Sequence, residues 1–140
     1  MQIITSKDNE NIKQIKKLKE KKYRQEQNCY LVEGIKMVRE AIIENADIQT
    51  IVVCEDCIKD NSIDKKMLYE IAKYNCLYVS EKVFKTITDV ESPQGIIAVV
   101  KQNKIDEEID FTQDIILILD GIQDPGNLGT IIRTLDSVRT

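Results

Sequence analysis

The chain has 140 residues, 42% of them apolar and 31% charged, a balance that suits one folded domain with the beginning of a second and excludes intrinsic disorder. No apolar run approaches the roughly 18–20 residues of a membrane span, and the opening Met1-Gln2-Ile3-Ile4-Thr5-Ser6-Lys7-Asp8 has no apolar leader, so the expected compartment is the cytoplasm, with no membrane partner. The formal charge is −4, yet residues 13–24 carry +6 and leave −10 on the rest, so a polyanion partner is expected at that one face only.

Asn9-Glu10-Asn11 supplies N-cap candidates, and Ile12, Ile15 and Leu18 recur at helical spacing. This predicts one helix over 10–24 with a narrow apolar stripe and a wide cationic back. "CYLVEG" (29–34) reads as a short strand whose Gly34 allows a sharp turn into a helix marked by Ile35, Val38, Ala41 and Ile42. Strands are expected at 48–55, 76–80 and 95–100, and helices at 64–75 and 81–90. Strands alternating with short helices argue for an α/β sandwich with at least part of its sheet parallel. The polar, acid-rich stretch that follows "GIIAVV" shows no apolar periodicity and reads as a connector. Domain boundaries are therefore set at 1–103, a linker at 104–113, and the opening of a second unit at 114–140.

Cys54 and Cys57 form a C-x-x-C, with Cys29 and Cys76 elsewhere in the chain. The two acids between the sulfurs would raise a thiolate pKa, and the flanking aromatic and Gly/Pro residues usual in redox motifs are missing. These cysteines are read as small packing residues, with no metal or redox site expected. There is no histidine in the chain, so the usual general base must be replaced by other groups.

The last unit begins with "DIILILD" (114–120), five consecutive aliphatics between acids, which suits a central parallel strand. Asp124-Pro125-Gly126-Asn127 reads as a type II turn with Asn127 as helix N-cap. Leu128, Ile131, Ile132, Leu135 and Val138 then give the helix an apolar stripe, with Arg133 off it. Helical side chains lean toward the N-terminus, so Arg133 extends over Gly129, which offers no side chain, and reaches back toward Asn127. An arginine beside first-turn amides makes a site for an anion or a polarised oxygen. The bland alternative is a well-made turn, a cap and a solvated arginine. An apolar strand and helix cannot bury their own faces, so 114–140 is expected to be the first β-α unit of a larger domain.

"LDGIQDPGNLGTIIRT" (119–134) resembles the first signature motif of the SpoU (TrmH-type) family of RNA 2′-O-ribose methyltransferases. The basic helix leading into "KKYRQEQNCYLVEGIKMVREAI" (21–42), together with "SPQGIIAVV" (92–100), resembles that family's accessory substrate-binding domain, a three-layer α/β/α fold akin to certain ribosomal proteins. The resemblance implies a second, knotted α/β methyltransferase domain that works as a homodimer. It implies methyl transfer from S-adenosylmethionine to a ribose hydroxyl of structured RNA, most often ribosomal. The cofactor pocket is built from later motifs, so the 140-residue chain is expected to be inactive alone and to bind no cofactor. The motif's asparagine and arginine fall on Asn127 and Arg133 as active-site residues; Leu135 stands where the family usually has alanine. A guanidinium holds its proton tightly, so orienting the ribose or phosphate and stabilising a developing alkoxide is an easier role for Arg133 than acting as a base. Lys16, Lys17, Lys21, Lys22 and Arg24 are the expected RNA contacts, with Tyr23 a stacking surface. The competing reading is a ribosomal-protein-like RNA-binding module without catalysis.

Overall fold

The computed structural model describes residues 2–60, 63–102, 112 and 116–138. The chain divides into two compact units, residues 1–104 and 105–140. The connector expected over 104–113 lies outside the described residues apart from Thr112.

Unit 1 runs β1 (Ile3–Ile4), α1 (Glu10–Lys17), α2 (Lys21–Gln27), β2 (Cys29–Glu33), α3 (Ile35–Ile43), β3 (Ile48–Cys54), α4 (Glu55–Lys59), α5 (Lys65–Ile71), β4 (Cys76–Val79), α6 (Glu81–Ile87) and β5 (Ile96–Lys101). The strands form one mixed sheet in the order β1-β4-β3-β5-β2. β1, β4 and β3 are parallel, whereas β5 runs antiparallel to both β3 and β2. Ile96 to Val100 of β5 are all buried, as an uninterrupted aliphatic run requires of a strand covered on both faces.

Two apolar clusters show what covers those faces. On one side Ile12, Ile15 and Leu18 pack with Val83, Phe84 and Ile87 of α6 over Val52, Val79, Ile97 and Val99. On the other, Val38 of α3 and Met67 and Ile71 of α5 cover Ile51, Val53, Ile96 and Ala98. The three-layer α/β/α arrangement expected for this part of the chain is therefore present. Because side chains alternate across a strand, neighbours such as Val52 and Val53 serve opposite cores.

Three expectations are corrected. The single helix over 10–24 is two helices: α1 stops at Lys17 with Leu18 as its C-cap, and α2 restarts after Glu20, an extended residue. The apolar stripe ends at Leu18, so nothing draws a continuing helix down onto the sheet. The strand expected over 114–120 has no counterpart among its described residues, 116–120, which form no ladder; Ile116, Leu117, Ile118 and Leu119 are exposed. A lone aliphatic run without strand neighbours has no partner for its backbone groups. Finally, Asp124-Pro125-Gly126-Asn127 is no type II turn. Helix α7 spans Pro125–Ser137, with Asp124 as its N-cap accepting from Gly126 N at 2.7 Å. Gly126 is not among the glycines with positive φ. Pro at the first helical position loses no bond and brings φ already set, so Asp-Pro opens a helix as readily as it opens a turn.

Two short elements went unanticipated. β1 is two residues long, and α4 carries Cys57 into a helix immediately after β3. Among the described residues no helix is long and apolar enough to cross a membrane.

Candidate nucleic-acid interface

Burial of Ile12, Ile15 and Leu18 fixes the rotation of α1, so the lysines between them face outward. The chain then turns a corner into α2, and two cations fasten that corner. Arg24 Nη1 donates to Leu18 O at 3.0 Å and to Lys19 O at 2.6 Å, which satisfies carbonyls that the end of α1 leaves without helical partners. Lys19 Nζ donates to Thr88 O at 2.7 Å and pairs with Asp89 at 2.9 Å, tying the corner to the segment after α6. Thr88 is itself held from the other side, its hydroxyl donating to Glu33 Oε1 at the end of β2 and accepting from Val90 N at 3.0 Å. Glu33 thus braces a loop.

With Arg24 and Lys19 turned to internal carbonyls, the outward charge falls to their neighbours. Lys16, Lys21 and Lys22 are exposed and Lys17 half-buried. Lys17 and Lys22 hold their ammonium groups 5.6 and 5.8 Å from the centroid of the Tyr23 ring, and Lys22 lies 3.9 Å from Glu26. Such exposed cation–π contacts contribute about 0.5–1 kcal/mol each. An open groove of about 430 Å³ lies at this corner, lined by Lys13, Lys16, Lys17, Lys19 and Tyr23 and by the acids Glu10 and Glu20. Of the five expected RNA contacts the structure brings Lys16 and Lys17 to the Tyr23 groove and Lys22 to the Tyr23 ring, whereas Lys21 and Arg24 line a separate groove with Tyr30, and Arg24 Nη1 is turned to carbonyls of the corner. The partners that fix the corner, Thr88 and Asp89, lie about 70 residues along the chain from Lys19, beyond the reach of periodicity.

In unit 2 the first half of the expected reach of Arg133, over Gly129, is present, and among the described residues its bond goes to Thr130 rather than on to Asn127. Its guanidinium lies over Gly129, with Nη1 3.4 Å from where a Cβ would stand, and it donates to Thr130 Oγ1 at 3.3 Å. Asn127 sits in the first turn of α7 and not at its cap. The apolar residues Leu128, Ile132, Leu135 and Val138 of this segment are exposed. A polar asparagine and a cation thus sit near the amino end of one helix, where the dipole favours negative charge.

The four cysteines are free thiols. Burial first, then Cys54 and the nearby acids Asp60 and Asp56, push the Cys57 thiol up to about 11. Burial raises Cys29 and Cys76 as well. Neutral thiols are poor nucleophiles and poor ligands, and among the described residues no cluster of three or more Cys, Asp or Glu is arranged to hold a metal ion.

Residues 9–98 match the MRM3-like substrate binding domain. The chain is 35% identical, over 98% of its length, to the 23S rRNA (guanosine(2553)-2′-O)-methyltransferase RlmP of Bacillus subtilis (strain 168), covering 51% of that protein. It is 33% identical, over 82% of its length, to the mitochondrial rRNA methyltransferase 3 of Xenopus laevis, covering 28% of it. Among solved structures, an RNA 2′-O ribose methyltransferase superposes with a TM-score of 0.71 at 27% identity, covering 99% of this chain and 53% of that one. An RNA methyltransferase of the TrmH family from Porphyromonas gingivalis gives 0.65 at 29% identity, with 92% and 48% covered. The chain thus spans about half or less of the length of these relatives. It belongs to the SpoU/TrmH family of RNA 2′-O-methyltransferases, with its MRM3-like substrate-binding domain at residues 9–98.

Proposed function

We propose that the chain is the RNA-gripping part, together with the opening catalytic segment, of an S-adenosylmethionine-dependent RNA 2′-O-ribose methyltransferase acting on structured RNA, most simply ribosomal RNA. The observation that carries this reading is the match over 98% of the chain to an enzyme named as a 23S rRNA 2′-O-methyltransferase. That match runs through both the lysine corner and "DPGNLGTIIRT". In this reading Lys16, Lys17, Lys21 and Lys22 neutralise RNA phosphates, while Arg24 and Lys19 hold the corner rigid beneath them.

Asn127 and Arg133 are the residues proposed to act on the ribose. Arg133, leaning back over Gly129, brings a fixed positive charge toward the amino end of α7. There it orients the ribose or a phosphate and stabilises negative charge developing on the attacking oxygen. S-adenosylmethionine supplies the methyl group when bound. The described residues of unit 2 do not fit it by themselves: none of 116–138 is buried, so they enclose no walls for a cofactor. The exposed apolar residues of α7 need a cover, which in this reading the rest of the methyltransferase domain supplies; the homodimer of the whole enzyme rests on the family resemblance alone.

The test is methyl transfer from labelled S-adenosylmethionine to ribosomal RNA by the full-length protein. Asn127→Ala and Arg133→Ala should each lower kcat by about 10²–10³-fold, the loss expected when one preorganised charge-stabilising group is removed. Unchanged kcat in both variants would overturn the assignment of these residues. RNA binding with no transfer by the unmodified protein would favour the non-catalytic binding module.

A further inference from the structure

Tyr23 is the one aromatic side chain among the described residues that line the groove at Lys16 and Lys17, and its setting differs from that of a merely solvated tyrosine. The ring is half-buried against the groove between α1 and α2. It lies within 6 Å of two ammonium groups that come from different helices. The backbone beneath it is fixed, because Arg24, the next residue, is bonded to Leu18 O and Lys19 O. A positively charged groove of about 430 Å³ with one aromatic wall falls within the roughly 300–1,000 Å³ of small-ligand sites. Its shape and charge suit a flat π-system that carries a phosphate.

We propose that this corner takes one unpaired nucleotide of the RNA, its base stacked on Tyr23 and its flanking phosphates on Lys16 and Lys17, with Lys22 on the next. This rests on the RNA-binding reading above and narrows it from RNA in general to RNA presenting a splayed-out base. The bases of a duplex have both faces covered by their neighbours, so a ring recessed in a groove cannot stack on them; single-stranded loops and bulges offer free faces. On binding, Lys17 and Lys22 exchange their weak contacts with the ring for phosphate oxygens, and the base occupies the face they leave. Glu10 and Glu20 also line the groove, and their carboxylates repel phosphate and so confine the RNA backbone to the lysines.

The experiment measures binding of the 140-residue chain to two fluorescent RNAs of the same sequence, one single-stranded and one paired with its complement, for the unmodified protein, Tyr23→Ala, Tyr23→Phe, and the charge reversal of Lys16 and Lys17 to Glu. Tyr23→Ala should weaken single-strand binding about 5- to 150-fold, the range for losing one base–aromatic stack. It should leave duplex binding within about twofold, and Tyr23→Phe, which keeps the ring, should match the unmodified protein on both. Circular dichroism and thermal melting establish that each variant is folded, and should Tyr23→Ala prove unstable, Tyr23→Leu, which keeps the bulk without an aromatic face, should show the same selective loss on the single strand, its absence overturning the proposal. Equal effects of Tyr23→Ala on both RNAs, or none on either, would overturn the proposal. The charge reversal separates the two readings: if it abolishes binding while Tyr23→Ala changes nothing selectively, RNA binding at the corner stands and the unpaired-base site falls.

Discussion

Gly95 shows how a single position joins the fold to the cysteine pair. It opens β5 with φ at +72°, in the region that disfavours residues with a Cβ. A Cβ placed there would fall inside the van der Waals shell of Cys57 Sγ and 3.1 Å from Cys54 Cβ. Packing alone accounts for the C-x-x-C at this place: Cys54 ends β3, Cys57 rides on α4, and both fill the space under a glycine that must be bare. Gly95→Ala should destabilise the chain by about 2–4 kcal/mol, combining left-handed strain with overpacking. Denaturant unfolding of Gly95→Ala with and without Cys57→Ala separates the two terms. Removing the sulfur should return the overpacking share and leave the backbone strain, a coupling expected only of side chains in contact. Purely additive effects would mean that the collision is not with Cys57.

Among the elements, the corner between α1 and α2 carries most of the functional argument, and Arg24 is its fastening. Arg24→Ala should lower stability by about 1–3 kcal/mol, because two carbonyls lose a charged donor. It should weaken RNA binding without changing the slope of affinity against salt, whereas a lysine that neutralises a phosphate would take about 0.7–0.9 from that slope when removed. A slope reduced by Arg24→Ala would return Arg24 to the set of direct contacts. This element also marks the limit of what the sequence makes legible. Strands β2 to β5, and the cores on both faces, are readable because aliphatic runs and helical stripes encode burial locally. The reach of Arg133 over Gly129 is readable for the same reason, since residues four apart on a helix are neighbours whatever the tertiary fold. The break after Lys17 is not, because lysine-rich sequence is compatible with a helix throughout and the break is held by Arg24 and by contacts with Thr88 and Asp89. Asp124-Pro125-Gly126 misleads for a different reason, its residues being equally suited to a turn and to a helix start.

At the scale of the whole molecule, the division of charge decides how RNA would meet this chain in the proposed function. Residues 13–24 carry +6 and the remainder −10, so the field attracts a polyanion to one corner and repels it from the other surfaces. The approach is thereby oriented before any contact forms, which a uniformly basic surface would not achieve. If Lys16, Lys17, Lys21 and Lys22 each neutralise one phosphate, the logarithm of affinity for single-stranded RNA should fall against the logarithm of salt with a slope of about −3. Affinity then drops about 50-fold between 50 and 200 mM. Reversing all four lysines to glutamate should abolish binding, and reversing four lysines placed elsewhere, such as Lys59, Lys65, Lys66 and Lys73, should leave the slope unchanged. A flat salt response, or an equal loss from both sets, would mean that net charge and not this corner governs the encounter. The control set matters because it changes the overall charge by the same amount, so only position on the molecule distinguishes the two proteins.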